Sequence, residues 1–156
     1  MAYSQHTELA ETLRSQIAGW GSLPADVTVS RAYQFESYIG GLSAAAPACI
    51  VCLPFAASNT QRETRGGYDS TDQVCHVVYL RKLDDYTDLT EADAADLEAE
   101  TLRSFLQSLN RVAGAARSFS RVSTVMVTPV AAEILRQHEV FVSVMQCTYR
   151  TFAEGS

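Results

Sequence analysis

The sequence lacks the long apolar segment that a membrane-spanning helix requires. Its longest apolar stretch, residues 44–57, falls short of the ~20 residues that cross a bilayer and is interrupted by prolines. The N-terminus, MAYSQHTELAE, has neither a basic start nor an apolar run, so we expect no secretory signal. These absences predict a protein that is soluble and intracellular during synthesis, with no membrane partner.

A surplus of basic charge is also missing. The 156 residues carry 12 Lys and Arg against 18 Asp and Glu, a formal net charge of -6. Dedicated nucleic-acid-binding domains usually present a basic face, so the average charge disfavours that class. With 47% hydrophobic and 19% charged residues, the composition is that of an ordinary globular chain, and we predict a single domain over residues 1–156.

Catalytic and cofactor motifs are absent as well. The sequence contains no GxSxG, HExxH, P-loop or GxGxxG pattern, so we assign no catalytic residue and no cofactor, and we do not expect an enzyme. The histidines, His6, His76 and His138, are interpreted as surface or core residues. One catalytic alternative stays open, a Cys–His pair formed by Cys147 and His76 on neighbouring strands.

Four cysteines occur in a chain without an export signal, which disfavours a disulfide framework. Cys49 and Cys52 form a CxxC pattern that could indicate zinc, and His76 follows Cys75. Residues 48–53 are predicted to form a strand, however, and side chains three positions apart on a strand point to opposite faces. We therefore predict no metal site, and we expect Cys147 and the other three thiols to lie in the core.

Hydrophobic periodicity predicts a mixed α+β domain. We expect helices over 4–18, 91–109 and 129–137, the last two capped by Thr90 and Thr128, and strands over 27–35, 48–53, 73–83, 121–127 and 140–152. The predicted architecture is a small mixed, mainly antiparallel sheet with helices packed on one face. Residues 55–72 lack periodicity and are predicted to form a long hairpin loop that stays flexible until assembly.

Charge is segregated along the chain. Residues 84–100 hold eight acids and no base, whereas residues 101–132 hold four arginines and no acid. Helix-dipole complementarity explains part of this pattern, and contacts between an acidic and a basic surface of neighbouring subunits would explain the rest. The two charge blocks, together with the two arginines of the long predicted loop, give the candidate interface residues Arg62, Arg65, Arg111, Arg117, Arg121, Asp84, Asp85 and Asp88.

Three segments carry a resemblance to a known family. They are the N-terminal helix, the stretch LPFAASNTQRETRGGYDSTDQVCHVVYL and the ending EILRQHEVFVSVMQCTYRTF. An apolar strand ends near Pro54, an arginine-containing loop follows at Thr64-Arg65, and the ending combines a charged residue, Val-Phe, an alternating strand and Tyr-Arg. Over nearly its whole length the chain resembles the tail terminator (tail completion, minor tail) proteins of long-tailed bacteriophages and related prophage elements.

The resemblance implies a structural virion protein that forms a ring, usually a hexamer, on the head-proximal end of the tail tube. Such a ring stops tube polymerisation at the length set by the tape-measure protein and offers a surface for head–tail joining. The implied partners are further copies of the chain, the tail tube protein, a head-completion or connector protein and the tape-measure protein. DNA would pass through an acidic lumen only as cargo. The implied location is the tail or neck of the virion, and the host cytoplasm during assembly.

Two other interpretations stay open. A head-completion or neck adaptor protein shares the small size and the ring habit. A cellular α+β domain that binds a small ligand, or an enzyme that uses Cys75, His76 or Cys147, would instead be a monomer or dimer with an internal polar pocket.

Overall fold

The computed structural model describes the backbone of residues 3–63 and 68–154, and the side chains of residues 3–55 and 71–151. Helices and strands follow one another in this order: α1 (Gln5–Ala18), β1 (Val27–Arg31), α2 (Glu36–Ile39), β2 (Ala48–Glu63), β3 (Tyr68–Lys82), α3 (Leu89–Ser108), β4 (Arg111–Ala113), β5 (Ser118–Thr128), α4 (Ala132–His138) and β6 (Val140–Glu154). Two of these elements, α2 and β4, have no counterpart in the sequence prediction, since a single turn and a three-residue strand are too short to show periodicity.

The strands form one mixed sheet with the order β1-β2-β3-β6-β5-β4. β1 runs parallel to β2, and every other neighbouring pair is antiparallel. The prediction of a mixed, mainly antiparallel α+β fold is therefore confirmed. β6 lies in the centre beside β3 and pairs along its whole length, from Tyr68 opposite Glu154 to Lys82 opposite Val140.

The predicted loop over residues 55–72 is wrong for most of that range. β2 continues past a bulge between Phe55 and Ser58 to Glu63, and its residues pair with β3 from Tyr68 onward. Polar residues form strands readily when backbone groups find partners on neighbouring strands, and β6 supplies those partners for β3. Pro54 does not end β2, because β1 stops pairing at Cys52 and a proline is tolerated where a strand has one neighbour.

Helices cover both faces of the sheet, whereas the sequence predicted one face. The long helices α1 and α3 pack on one face, where their buried residues join a core with Ile50, Val77, Met145 and further strand residues. The short helices α2 and α4 lie against the other face, over a second cluster. That second cluster consists of Cys49, Val51, Val78, Leu80, Val140 and Val142, with Phe35, Tyr38, Ile39 and Ile134 among the side chains packed on it.

Several predicted boundaries shift by a few residues. α3 begins at Leu89, and Asp88 rather than Thr90 is its N-cap, since the Asp88 carboxylate accepts from the Thr90 backbone N–H at 2.9 Å. α4 begins at Ala132 rather than at Pro129, because Thr128 still pairs with β6 as the last residue of β5. The first predicted strand ends at Arg31, after which the chain turns into α2.

The prediction that the four cysteines lie in the core, with Cys49 and Cys52 on opposite faces of a strand, is confirmed. All four cysteines are buried and free. Cys49 belongs to the cluster beneath α2 and α4, and Cys52 belongs to the core beneath α1 and α3, so the two thiols of the CxxC pattern lie on opposite faces of β2.

Candidate functional site

The most exposed apolar strand of the described chain is the second half of β5. β4 pairs only with Ser118–Ser120, and Asn110 O accepts one further backbone bond, from Arg121 N at 2.8 Å. Beyond that point residues 122–128 pair with β6 on one side and with no described strand on the other. We call residues 122–128 the β5 edge.

The β5 edge combines unpaired backbone with apolar side chains. Val122, Val125 and Val127 are 45%, 52% and 50% exposed, and Val122 and Val127 lie at the two places where the register with β6 shifts. An uncovered strand presents a row of N–H and C=O groups to which a strand of another chain can add. Of the features that oppose strand addition, this edge carries two bulges but no lysine, proline or acid.

A second uncovered edge lies toward the opposite end of the sheet. β1 pairs with Ala48–Cys52 of β2, and Ala32 N extends the contact with one bond to Cys52 O. From residue 53 to residue 63, β2 pairs with β3 alone among the described strands. We call residues 53–63 the β2 edge. The β2 and β5 edges therefore lie on opposite sides of the β3–β6 centre, in addition to the outer edges of the terminal strands β1 and β4.

Next to the β2 edge, an aromatic pair lies on the same face of the sheet as α2 and α4. The rings of Phe55 and His76 stack with centroids 4.7 Å apart, and Nε2 of His76 is 3.3 Å from Oε1 of Gln146. Cys147 is buried on the other face, in the core with Cys75. The Cys147–His76 catalytic pair is therefore not formed, because adjacent strand positions point their side chains in opposite directions.

Cys52, Cys75 and Cys147 occupy the same face of the sheet, and Cys75 lies directly opposite Cys147 on neighbouring strands. Burial raises the pKa of the Cys147 thiol to about 12. The hydrogen bond with Cys52, together with burial, raises the pKa of Cys75 well above its ordinary value. Since the thiolate is the reactive form, Cys75 and Cys147 are poorly suited to nucleophilic chemistry at neutral pH.

The arginine candidates do not share one environment. Arg111 is exposed, and Arg121 donates to Oδ1 of Asn110 at 3.2 Å. Arg111 lies in β4, and Arg121 lies in β5 immediately before the β5 edge. In β2 the backbone of Arg62 pairs with Asp69, but the Arg62 side chain and the whole of Arg65 lie outside the described residues.

Arg117 is partly exposed, and a buried carboxylate binds it. Glu8 of α1 is 3% exposed and accepts from Nη1 of Arg117 at 2.7 Å. The same carboxylate accepts from the backbone N–H groups of Ala116 and Arg117 at 3.1 and 2.8 Å. A Cβ atom at Gly114 would collide with Oε2 of Glu8 and lie 3.0 Å from the carbonyl oxygen of Arg117. Glu8 therefore fastens the β4–β5 turn to α1, and no sequence pattern reveals this contact.

The three acidic candidates cluster in the turn between β3 and α3, where the carboxylates of Asp85 and Asp88 accept hydrogen bonds from nearby backbone N–H groups. The backbone N–H groups of Asp84 and Asp85 donate to Glu91 at 2.9 and 3.0 Å. Asp85 accepts from the hydroxyl and the N–H of Thr87, and these bonds lower the pKa of Asp85. Within residues 71–151, no salt bridge joins this turn to Arg111, Arg117 or Arg121.

Tyr79 and Glu98 line a cavity beside β3 and belong to a polar cluster that the sequence analysis missed. Tyr79 donates its hydroxyl hydrogen to Oε2 of Glu98, and Nε of Arg81 donates to the same oxygen at 2.8 Å. Arg81 also binds both carboxylate oxygens of Asp26, at 3.0 and 3.1 Å, and these bonds lower the pKa of Asp26. The only sequence signal was that Tyr79 and Arg81 share a face of β3 whose preceding residues are apolar.

Two common structural features are absent from the described residues. No group of three or more His, Cys, Asp or Glu side chains converges on one point within the described residues. None of the described helices is long and apolar enough to cross a membrane.

The sequence comparisons assign this chain to no family. No protein-family model matches it, and no curated protein matches its sequence.

Proposed function

We propose that the chain is a structural virion protein of the tail-terminator type, without catalytic activity. In this proposal, copies of the chain assemble head to tail into a ring, six in number, that caps the head-proximal end of a phage tail tube. The ring ends tube polymerisation, and its other face joins the head. The observation that supports this function best is the presence of two different uncovered strand edges on one sheet, together with the sequence resemblance.

Two different edges favour a ring over a symmetric dimer. If the β5 edge of one copy adds to the β2 edge of the next, the first copy keeps its β2 edge free and the second keeps its β5 edge free, so the contact repeats. A repeating contact of this kind closes into a ring when its rotation divides a full turn. Strand addition would satisfy the free backbone groups and cover Val122, Val125 and Val127.

The remaining candidates have places in this arrangement. Arg111 and Arg121 flank the β5 edge, and they would meet acids of the neighbouring copy, among them Asp84, Asp85 and Asp88. Arg62, near the end of β2, and Arg65 would contact the tube. The charge of -6 per copy would make the ring acidic overall, which would let DNA pass without adhering.

The ring is tested by native mass spectrometry over a range of concentrations, with and without the tail tube protein. We expect a particle of six copies of the 17.0 kDa chain, alone or on the tube end. Val125→Lys places a charge on the β5 edge and should abolish that particle, because a lysine opposes strand addition. Val130→Lys is the matched control, since Val130 is an exposed valine outside the strand, and its ring should form normally.

A chain that stays monomeric with the tube protein present would contradict the proposal. A ring that forms normally in Val125→Lys would show that the contact does not depend on the β5 edge. A monomer or dimer that binds a small ligand is what the alternative of a cellular ligand-binding domain predicts.

A further inference from the structure

The cavity beside Tyr79 has mostly apolar walls, and its polar lining residues are Ser22, Tyr79, Glu98 and Thr101. We call the part formed by Tyr79 and Glu98 its polar end. It has a volume of about 180 Å³ and is open to solvent on one side. Trp20, Val27, Ile50, Leu97 and Leu102 supply most of its apolar wall, and Tyr79 and Glu98 stand together in its lining. Leu97 is 68% exposed at its mouth, which leaves an entrance between α3 and the segment before β1.

Its size limits what it can hold. Nucleotide-sized and cofactor-sized ligands occupy sites of roughly 300–1,000 Å³, so they exceed this cavity. An apolar cavity of ~150 Å³ is known to accept one benzene molecule. A volume of about 180 Å³ therefore suits one aromatic ring with one small substituent.

The polar end favours a hydrogen-bond donor. Oε2 of Glu98 already accepts from Tyr79 and Arg81, whereas none of the described side chains donates to Oε1, the second oxygen of that carboxylate. Burial, followed by the bond to Glu98, raises the pKa of Tyr79, so its hydroxyl remains neutral and directed at Glu98. A ligand donor placed at the polar end would find a charged acceptor, which is the stronger kind of hydrogen bond.

The charge balance of the polar cluster disfavours anions. The carboxylates of Asp26 and Glu98 share one guanidinium, that of Arg81, through bonds of 2.8–3.1 Å. One negative charge is therefore left over. An anionic ligand would be repelled, whereas a neutral or cationic donor would be attracted.

We propose that this cavity binds a small aromatic molecule that carries a hydrogen-bond donor, with the ring among Val27, Ile50 and Leu102 and the donor on Glu98. This inference does not depend on the ring proposal, since the cavity lies within a single copy. Neither the sequence resemblance nor the charge blocks pointed to it.

The test uses three probes of similar size, phenol, benzene and benzoate, titrated into the full-length protein labelled with ¹⁵N. We expect phenol to shift the amide signals around the cavity with a dissociation constant of about 1 mM. Benzene should bind about tenfold more weakly, because it cannot donate to Glu98. Benzoate should produce no saturable shift. In Glu98→Gln, phenol should lose most of its advantage over benzene.

A matched pair of variants locates the binding. Ser22→Trp places a ring at the mouth of the cavity and should abolish phenol binding, whereas Ser43→Trp, at an exposed serine away from the cavity, should leave it unchanged. Phenol binding that survives Ser22→Trp, or equal affinities for the three probes, would overturn the proposal.

Discussion

The two halves of β5 have opposite surroundings. In the first half Phe119 is fully buried and pairs with Val112 of β4, and the preceding turn is fastened to α1 by Glu8. In the second half Val125 and Val127 are about half exposed, and no described strand lies beside them. One half of a strand can therefore contribute to folding while its other half remains available for a partner.

Charge in the sequence does not distinguish the two arginines that flank the covered half of β5. Arg117 and Arg121 are close in sequence and belong to the same acid-free block. Arg117 reaches a carboxylate that is buried in the fold, whereas Arg121 binds an amide oxygen of Asn110 at the surface. An arginine in such a block is thus available to a partner only if no internal carboxylate binds it.

The largest effect on folding is expected from Arg117→Met, which removes the cation next to the carboxylate of Glu8. We expect a loss of about 3 kcal/mol in the free energy of unfolding, because the charge on Glu8 stays buried with only backbone donors. Urea unfolding followed by circular dichroism measures the loss.

The control for this variant is Arg103→Met. Arg103 pairs with Glu100 at the surface of α3, so its removal should change the unfolding free energy by no more than ~0.5 kcal/mol. The double variant Glu8→Gln with Arg117→Met should be more stable than Arg117→Met alone, since the uncompensated charge is gone. Equal losses for Arg117→Met and Arg103→Met would show that the turn is not held by the ion pair.

A smaller effect is expected from Gly114→Ala in the same turn. The added methyl group would collide with the Glu8 carboxylate and crowd the carbonyl oxygen of Arg117, so the fastened turn must shift. We expect a loss of about 1–2 kcal/mol in the free energy of unfolding. Gly21→Ala is the control, because a methyl group there meets nothing within 4 Å. A Gly114→Ala protein as stable as Gly21→Ala would mean that the turn moves freely away from Glu8.

Sequence patterns predicted the structural features that depend on residues close together in the chain. The stripe Leu9, Leu13 and Ile17 of α1 is fully buried, as the 3.6-residue period predicted. Alternation likewise predicted the two faces of β3 and β6. Contacts between distant residues escaped, because no period links Glu8 to Arg117 or Tyr79 to Glu98. The long β2–β3 hairpin escaped for the same reason, since its polar strands are stabilised by pairing with each other and with β6.

The smallest effect on folding is expected at the β5 edge itself. Val125→Ala removes a side chain that is half in solvent, so the free energy of unfolding of the monomer should fall by no more than ~0.5 kcal/mol. Val112→Ala is the matched change in the covered half, where the valine is buried, and it should cost about 2 kcal/mol. Urea unfolding at a concentration where the chain is monomeric measures both losses. A loss at Val125 as large as that at Val112 would mean that the second half of β5 already belongs to the folded core of one copy. The β5 edge would then have little free surface left to offer a partner.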